Sequence, residues 1–391
     1  MNELAHTTRL PHAAPARVLA CGAFLKNRAC LIDGDQAHWS ALHGDLGEAS
    51  SRDALAQSLD MLRARATGPL HAVAHDLHPD FYSTHLAIAM AQRLGVPVIG
   101  VQHHHAHIGV LLAEQSVSSP VIGLALDGMG LGSDGGAWGG EVLWVGGSAQ
   151  AQQWRRLDHL TALALPGGDA AAREPWRLAA AVLFALGRGS EIEPRFSPHV
   201  GAATARLLHV MLQRDLNCPR SSSAGRWFDA AAGALDLSVR QSFEAEAAIA
   251  LEQLARDWLV DHPDFEFNWS SLDLYPIVAE LFALQTQGIE ARARGAAQFH
   301  LALAGGLAQR AIEAAAAHGT HQVVLAGGCL LNRVLGQRLR ANLNCAGLTV
   351  LEPQAAGCGD AGLALGQAWI AGCTPHVNLA MSINPQLTPA T

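Results

Sequence analysis

Two stretches of this chain run through the same order of elements. RVLACGAF, RACLIDG and QAHWSAL, starting at Arg17, are three short β-like runs parted by LKN and an Asp-Gly turn; PVIGLALDG, WGGEVLWVGG and QWRRLDHL, starting near Val121, are three more. The first triplet leads into a helical period in SSRDALAQSLDMLRARA, a β-like LHAVAHD, a second helical period in FYSTHLAIAMAQRLG and the buried-strand pattern VPVIGVQ. The second triplet is followed by an insertion over about 165–295, mostly helical and punctuated by PGGDAAAREPW, EPRFSPH and CPRSSSAGRWFD. Then come a long helix through AQFHLALAGGLAQRAIEAAAAHG, a strand HQVVLAGG, a helix from Leu330, a strand LTVLEP and a last helix from Asp360 to Ala371. A βββαβαβα order met twice predicts two α/β lobes facing a cleft, and α/β proteins bind ligands beyond the carboxyl ends of their strands. The expected divisions are a disordered tail over 1–16, lobe I over 17–118 completed by the helix 360–372, lobe II over 119–359, and a disordered tail over 374–391.

Half of the 391 residues are apolar, enough for two packed lobes, yet no apolar run is long enough to span a membrane and MNELAHTTRLPHAAPAR lacks the apolar core of a secretory signal. The cytoplasm is the expected compartment. Seven cysteines without a C-x-x-C pair exclude a disulfide framework and a zinc ribbon, and a formal charge of −8 disfavours a nucleic-acid surface. No G-x-x-x-x-G-K-[ST] loop is present, and no G-x-G-x-x-G opens a βαβ unit near the start.

The segment VQHHHAHIGVLLAEQ carries four histidines within 103–107. On a helix His103 and His107 form an i,i+4 pair on one face, the spacing with which two imidazoles grip one metal, whereas His104 pairs less well and His105 faces elsewhere. Asp127 in LALDGMG and Asp360 in GCGDAGLALG stand where loops meet regular structure and are the carboxylates suited to complete a site. The alternative at this point is a set of hydrogen-bonded helix-end histidines and N-cap aspartates.

Two glycine-rich turns stand at equivalent places in the two repeats. LALDGMGLGSDGGAWGGE, with Gly128, Gly130 and Glu141, and VVLAGGCLLNRVL, with Gly327, Gly328 and Asn332, can let backbone approach a phosphate. Each also serves as an ordinary turn. Together they resemble the two-lobed actin, sugar-kinase and heat-shock ATPase superfamily, which clasps a nucleotide between lobes around a duplicated RNase H-like core. Cys329, after the glycine pair, is either a thiol activated at a helix N-terminus or, more in keeping with the turn, a small packing residue.

ACGAFLKNRACL, VQHHHAHIGVLLAE, LPGGDAAAREPWRLA and GRWFDAAAGALDL, with LDGMG…WGGE and GGCLLNRVL, jointly resemble the Kae1-like C-terminal half of the HypF hydrogenase-maturation carbamoyltransferases, from about Val18 to Ala371. The resemblance implies a cleft metal, iron or zinc, on His103, His107, Asp127 and Asp360; a nucleotide, ATP or carbamoyl adenylate with accompanying Mg, near Gly128, Gly130, Glu141, Gly327, Gly328 and Asn332; and Lys26 facing phosphate. It also implies that Asp169, Arg173, Glu174 and Asp229 stand at the cleft mouth for ribose, carbamoyl or partner contact, although Arg173 and Glu174 equally suit a surface ion pair. Carbamoyl phosphate and ATP are the implied substrates and HypE the implied acceptor, with a homodimer compatible. Phe24 stands where the family hairpin usually carries Glu, and Cys329, Leu330 and Leu331 replace Val-Phe-Gln. The acylphosphatase, zinc-finger and YrdC-like domains that precede this half in the family are expected to be missing, so that a separate YrdC-like or full-length HypF protein supplies carbamoyl adenylate unless this chain makes its own. The other readings are a stand-alone carbamoyl phosphate or carbamoyl adenylate hydrolase, a tRNA threonylcarbamoyl transferase and a non-catalytic scaffold.

Overall fold

The computed structural model describes residues 6–375 and 377. Its strands are β1 (His6–Arg9), β2 (Val18–Ala20), β3 (Cys30–Asp33), β4 (Gln36–Trp39), β5 (Ala72–Asp76), β6 (Val98–Val101), β7 (Val121–Leu131), β8 (Ala137–Val145), β9 (Trp154–His159), β10 (Leu163–Ala164), β11 (Arg220–Ser221), β12 (Gln322–Ala326) and β13 (Thr349–Leu351). The first helices are α1 (Ala49–Arg65), α2 (Tyr82–Leu94) and α3 (His103–Glu114). The insertion contributes α4 (Asp169–Arg173), α5 (Pro175–Ala185), α6 (Ile192–Val200), α7 (Ala202–Gln213), α8 (Ala224–Ala234), α9 (Glu246–Asp261) and α10 (Tyr275–Leu284). The chain closes with α11 (Ile289–His318), α12 (Arg333–Cys345) and α13 (Leu363–Gly372).

The duplication is visible in the sheets. In one, the order β4-β3-β2-β5-β6 has an antiparallel meander followed by two parallel strands; in the other, β8 pairs with both β9 and β7, and β12 and β13 continue in parallel. β2 thus corresponds to β7 and β5 to β12. The continuous apolar runs of β5, β7 and β12 follow from burial on both faces, as in parallel sheets covered by helices.

Residues 6–16 depart from the expected disordered tail. β1 pairs antiparallel with β4 at the sheet edge, the Leu10 amide donates to the Asp35 carbonyl, and Leu10 and Ala16 are buried. A four-residue strand lying within polar sequence carries no period to betray it. Residues 1–5 and nearly all of 374–391 lie outside the described residues, although Val377 is buried. β10, just ahead of the insertion, and β11, within it, two residues each, extend the second sheet. The helix expected from Leu330 begins at Arg333, because a short 3-10 turn over Gly328–Leu331 precedes the Asn332 cap.

The terminal helix of each half lies between the two sheets. α3 packs on β7, β8 and β12, while α13 packs on β2, β3 and β5, and the two helices pack against each other. Their crossing is close because both supply glycine at the contact: a Cβ at Gly366 would run into the Ala106 carbonyl, and one at Gly109 would lie 3.1 Å from the Gly366 carbonyl oxygen. This contact sets the His103–His107 face of α3 beside the turn that opens α13.

Candidate metal centre

α3 starts at a Gln102 cap whose side chain accepts the His105 amide at 2.8 Å, and its residues from His103 to Ala113 are all buried. Each of its histidines therefore needs an internal partner. His103 and His107, one turn apart, aim their Nε2 atoms at the same two carboxylates. His103 Nε2 is 3.1 Å from Asp127 Oδ2 and 3.6 Å from Asp360 Oδ1; for His107 Nε2 the distances are 3.5 and 3.4 Å. Donor atoms of the four residues all fall within 4.8 Å of one another. The His107 Nε2 contacts are longer than a good hydrogen bond, and the atom is buried without a hydrogen-bond partner.

Asp127 sits at a bulge, where the β7–β8 register shifts between Leu126 and Gly130, a device that re-aims a side chain out of the strand plane. Its carbonyl accepts the Ser223 hydroxyl at 2.9 Å, and its Oδ1 accepts the Gly328 amide at 3.2 Å. Asp360 opens the 3-10 turn ahead of α13. Burial alone would lower the two imidazoles and raise the two carboxylates. The opposite charges outweigh it: Asp76, Asp127 and Asp360 hold His103 well above the ordinary histidine range and His107 also rises, while the histidines hold Asp127 well below the carboxylate range and Asp360 below it.

Asp76, which sequence reasoning missed, fixes the arrangement. It is buried at the carboxyl end of β5, and its Oδ2 takes the Nδ1 hydrogen of His103 at 2.7 Å, leaving Nε2 for the cluster. The sequence held a signal, an Asp ending a buried strand of an α/β half, where ligands gather. His104 and His105 face other partners: His104 Nδ1 meets the Gln102 amide at 3.0 Å, and His105 Nε2 meets the Ala151 carbonyl at 2.6 Å. Burial drives the pKa of His105 down to about 4.

The other expected site residues divide. The Gly327 amide donates to the Cys358 carbonyl at 2.8 Å and that of Gly328 to Asp127 at 3.2 Å, so both amides already have partners. At Gly327, with φ +102, a Cβ would strike the Leu126 carbonyl. Gly130 is a spacer too, since a Cβ there would sit 2.8 Å from the His103 ring, whereas Gly128 faces open space. Asn332 is an α12 cap, accepting the Leu335 amide and donating to His300 Nε2 at 2.9 Å. Glu141 is fully buried within β8, where it takes the Gly139 and Gly140 amides, the Ser222 hydroxyl and Arg156. Both side chains have internal hydrogen-bond partners in this structure. Burial pushes the Cys329 thiol well up, and Asp127 adds to it, which disfavours the activated-thiol reading.

Lys26 bonds Glu244 at 2.9 Å. Asp169 and Arg173 are exposed on α4. Glu174 pairs with Arg177 and Arg240, not with Arg173. Asp229 is buried, its pKa pushed by burial up to about 6 despite Arg226 at 2.9 Å and the Gln241 amide at 3.1 Å. Gln241 donates also to the Ala172 carbonyl, tying the PGGD and GRWFD segments together.

Among known families, the model described as carbamoyltransferase, Kae1-like domain, second subdomain, matches residues 123–367, and that of the HypF Kae1-like domain matches residues 13–114. A carbamoyltransferase HypF homolog of Cupriavidus necator is 56% identical over 373 residues, covering 93% of this chain and 94% of that protein. The carbamoyltransferase HypF2 of the same organism is 44% identical over 93% of this chain but only 47% of its own length. A crystal structure of full-length HypF in the phosphate- and nucleotide-bound form superposes with a TM-score of 0.81 at 30% identity, over 94% of this chain and 47% of that one. Against such longer relatives the chain spans about half their length. The fold is the two-lobed actin-like one, and among the described residues no helix is long and apolar enough to cross a membrane.

Proposed function

We propose that this chain, which belongs to the HypF family of carbamoyltransferases, moves the carbamoyl group of carbamoyl phosphate, by way of ATP and carbamoyl adenylate, to the C-terminal cysteine thiol of HypE in [NiFe]-hydrogenase maturation. The observation that carries the reading is the convergence of His103, His107, Asp127 and Asp360 in the cleft. Two imidazole nitrogens and two carboxylate oxygens suit iron or zinc, and the buried Nε2 of His107, without a hydrogen-bond partner, fits the role of a ligand atom. A cation there would supply Lewis-acid polarisation of the carbamoyl carbonyl and charge for the adenylate phosphate.

The chain's own residues do the rest. Asp76 holds the proton on His103 Nδ1, so that Nε2 is the nitrogen left to face a cation, which would take the place of the Nε2 proton. Burial of the cluster keeps water from the activated carbamoyl carbon, whose hydrolysis would waste the intermediate. Lys26 meets the phosphate of the ligand, and Gly327 lets its turn pack against the Leu126 carbonyl beside Asp127. Gln241 sets the PGGD loop against Asp229, which supports reading Asp169 and Arg173 as contacts at the mouth. In the transfer the thiolate sulfur bonds to the carbamoyl carbon as the bond from that carbon to the phosphate oxygen breaks, and AMP leaves with the electron pair.

The test is the intact mass of HypE after incubation with this protein, carbamoyl phosphate and ATP. One added carbamoyl group, lost when the terminal cysteine is replaced, is the expected result. Gain only with preformed carbamoyl adenylate or a YrdC-bearing relative assigns activation to another protein, and no gain under either condition overturns the transferase reading.

A further inference from the structure

One ion pair joins the hairpin of the first lobe to the insertion of the second. Lys26 Nζ and Glu244 Oε2 are 2.9 Å apart, with 52% and 59% of their side chains exposed. The lysine belongs to a rigid turn. Asn27 beside it is fully buried, its side-chain amide donates to the Cys21 and Ala23 carbonyls, and its backbone bridges to Gly44. Lys26 itself has φ 47, a left-handed conformation that costs a non-glycine residue about 1 kcal/mol or more.

Glu244 stands on a different support. The segment ahead of α9 is anchored by Gln241, whose backbone amide donates to the Arg173 carbonyl, whose side-chain amide reaches the Ala172 carbonyl and Asp229, and whose side-chain oxygen accepts the Ala247 amide. Residues 242–245 between those anchors are exposed, and Ala245 is left-handed at φ 64. The tip is therefore fixed at its base and free at the residue that reaches the lysine. Asp360 and Asp127 also act on the Lys26 ammonium, which places this pair within the field of the cluster.

We propose that Glu244 is a built-in competitor for the anion site of the cleft: its carboxylate holds the Lys26 ammonium, and a phosphate of the substrate must displace it to bind. The inference rests on reading the cleft as a site for a nucleotide or an acyl phosphate. A pair this exposed is weak, so the competition is worth about two- to fivefold in affinity, enough to disfavour weakly held anions while a polyphosphate still enters. A ligand that takes Lys26 releases the Glu244 tip, which couples occupancy of the cleft to the position of the insertion.

The test is calorimetric titration of ATP and of inorganic pyrophosphate into the full chain at low ionic strength. Wild type, Glu244→Gln, Lys26→Gln and the double variant are compared. Glu244→Gln is expected to tighten both ligands about two- to fivefold, Lys26→Gln to weaken them, and the double variant to match Lys26→Gln, because the competition needs its lysine. Unchanged or weaker binding in Glu244→Gln overturns the proposal, as does equal tightening in the Lys26→Gln background, which is a general charge effect. In those cases ATP still binds and the substrate reading stands; failure of every variant to bind either ligand removes that reading and the competition with it.

Discussion

At the scale of single residues, what holds the centre together is orientation of imidazole rings. His103 has one nitrogen on Asp76 and the other on the cluster, so Asp76→Asn keeps the shape while taking away the acceptor that fixes the tautomer. Metal affinity, read by competition with a chromophoric chelator, is expected to fall about 10- to 100-fold, with the fold intact by circular dichroism; unchanged affinity would reject the assigned role. His300 shows the same logic applied to stability. It is wholly buried, donates from Nδ1 to the Ala296 carbonyl at 2.7 Å and accepts the Asn332 amide at Nε2, and burial lowers its pKa to about 4. The unfolded chain then takes up a proton near pH 6.5 that the folded chain refuses until about 4, so the stability from this residue is full above that upper value and drains away as pH falls. Between pH 7 and 5 the loss is about 2 kcal/mol on an order-of-magnitude basis. Urea unfolding of His300→Gln should show a correspondingly smaller difference between the two pH values, and an undiminished one would point to other groups. His103, His107, Asp127 and Asp360 were legible because spacing and motif named them; Asp76 was not, since a lone Asp closing a strand has many ordinary uses.

At the scale of elements, the glycine contact between α3 and α13 decides whether the centre can form. Gly366→Ala drives a methyl group into the Ala106 carbonyl, a backbone atom that cannot rotate away, so the helices must part. Destabilisation of about 1–3 kcal/mol is expected in chemical unfolding, together with weaker metal binding because Asp360 moves away from His107. A variant with lowered stability but wild-type metal affinity would show that the crossing supports the fold alone. Long periodic elements such as α1 and α11 were plain in sequence, because their apolar residues recur with the helical period. The two-residue strands β10 and β11 and the edge strand β1 were invisible, because elements so short are defined by partners and carry no period. Glu141 and Asn332 are ambiguous in sequence for a related reason: glycine neighbours advertise a ligand and a tight turn equally well, and here the polar side chains also bond Arg156, Ser222, His300 and a helix cap.

At the scale of the whole molecule, the duplicated fold makes the centre a clasp between its halves. His103 and His107 arrive on α3 from the first repeat, Asp127 on β7 and Asp360 ahead of α13 from the second, and the two terminal helices cross into the opposite sheets. A cation held by all four therefore stabilises the joined arrangement over a parted one in proportion to its occupancy. Removing it leaves Asp127 and Asp360 facing each other, and the like charge of Asp127 works against ionisation of Asp360. The histidines relieve this only by taking up protons, so the metal-free centre depends on imidazolium and weakens as pH rises. Dialysis against a strong chelator is expected to lower the Tm, by more at pH 8 than at pH 6, with recovery on adding back iron or zinc. In the double variant His103→Ala/His107→Ala the chelator should leave Tm unchanged, and elemental analysis should find the variant metal-poor. A chelator-sensitive Tm in that variant would place the stabilising cation elsewhere, and an insensitive Tm in a wild-type protein shown to carry metal would mean that the halves are held by the α3–α13 contact without help from the centre.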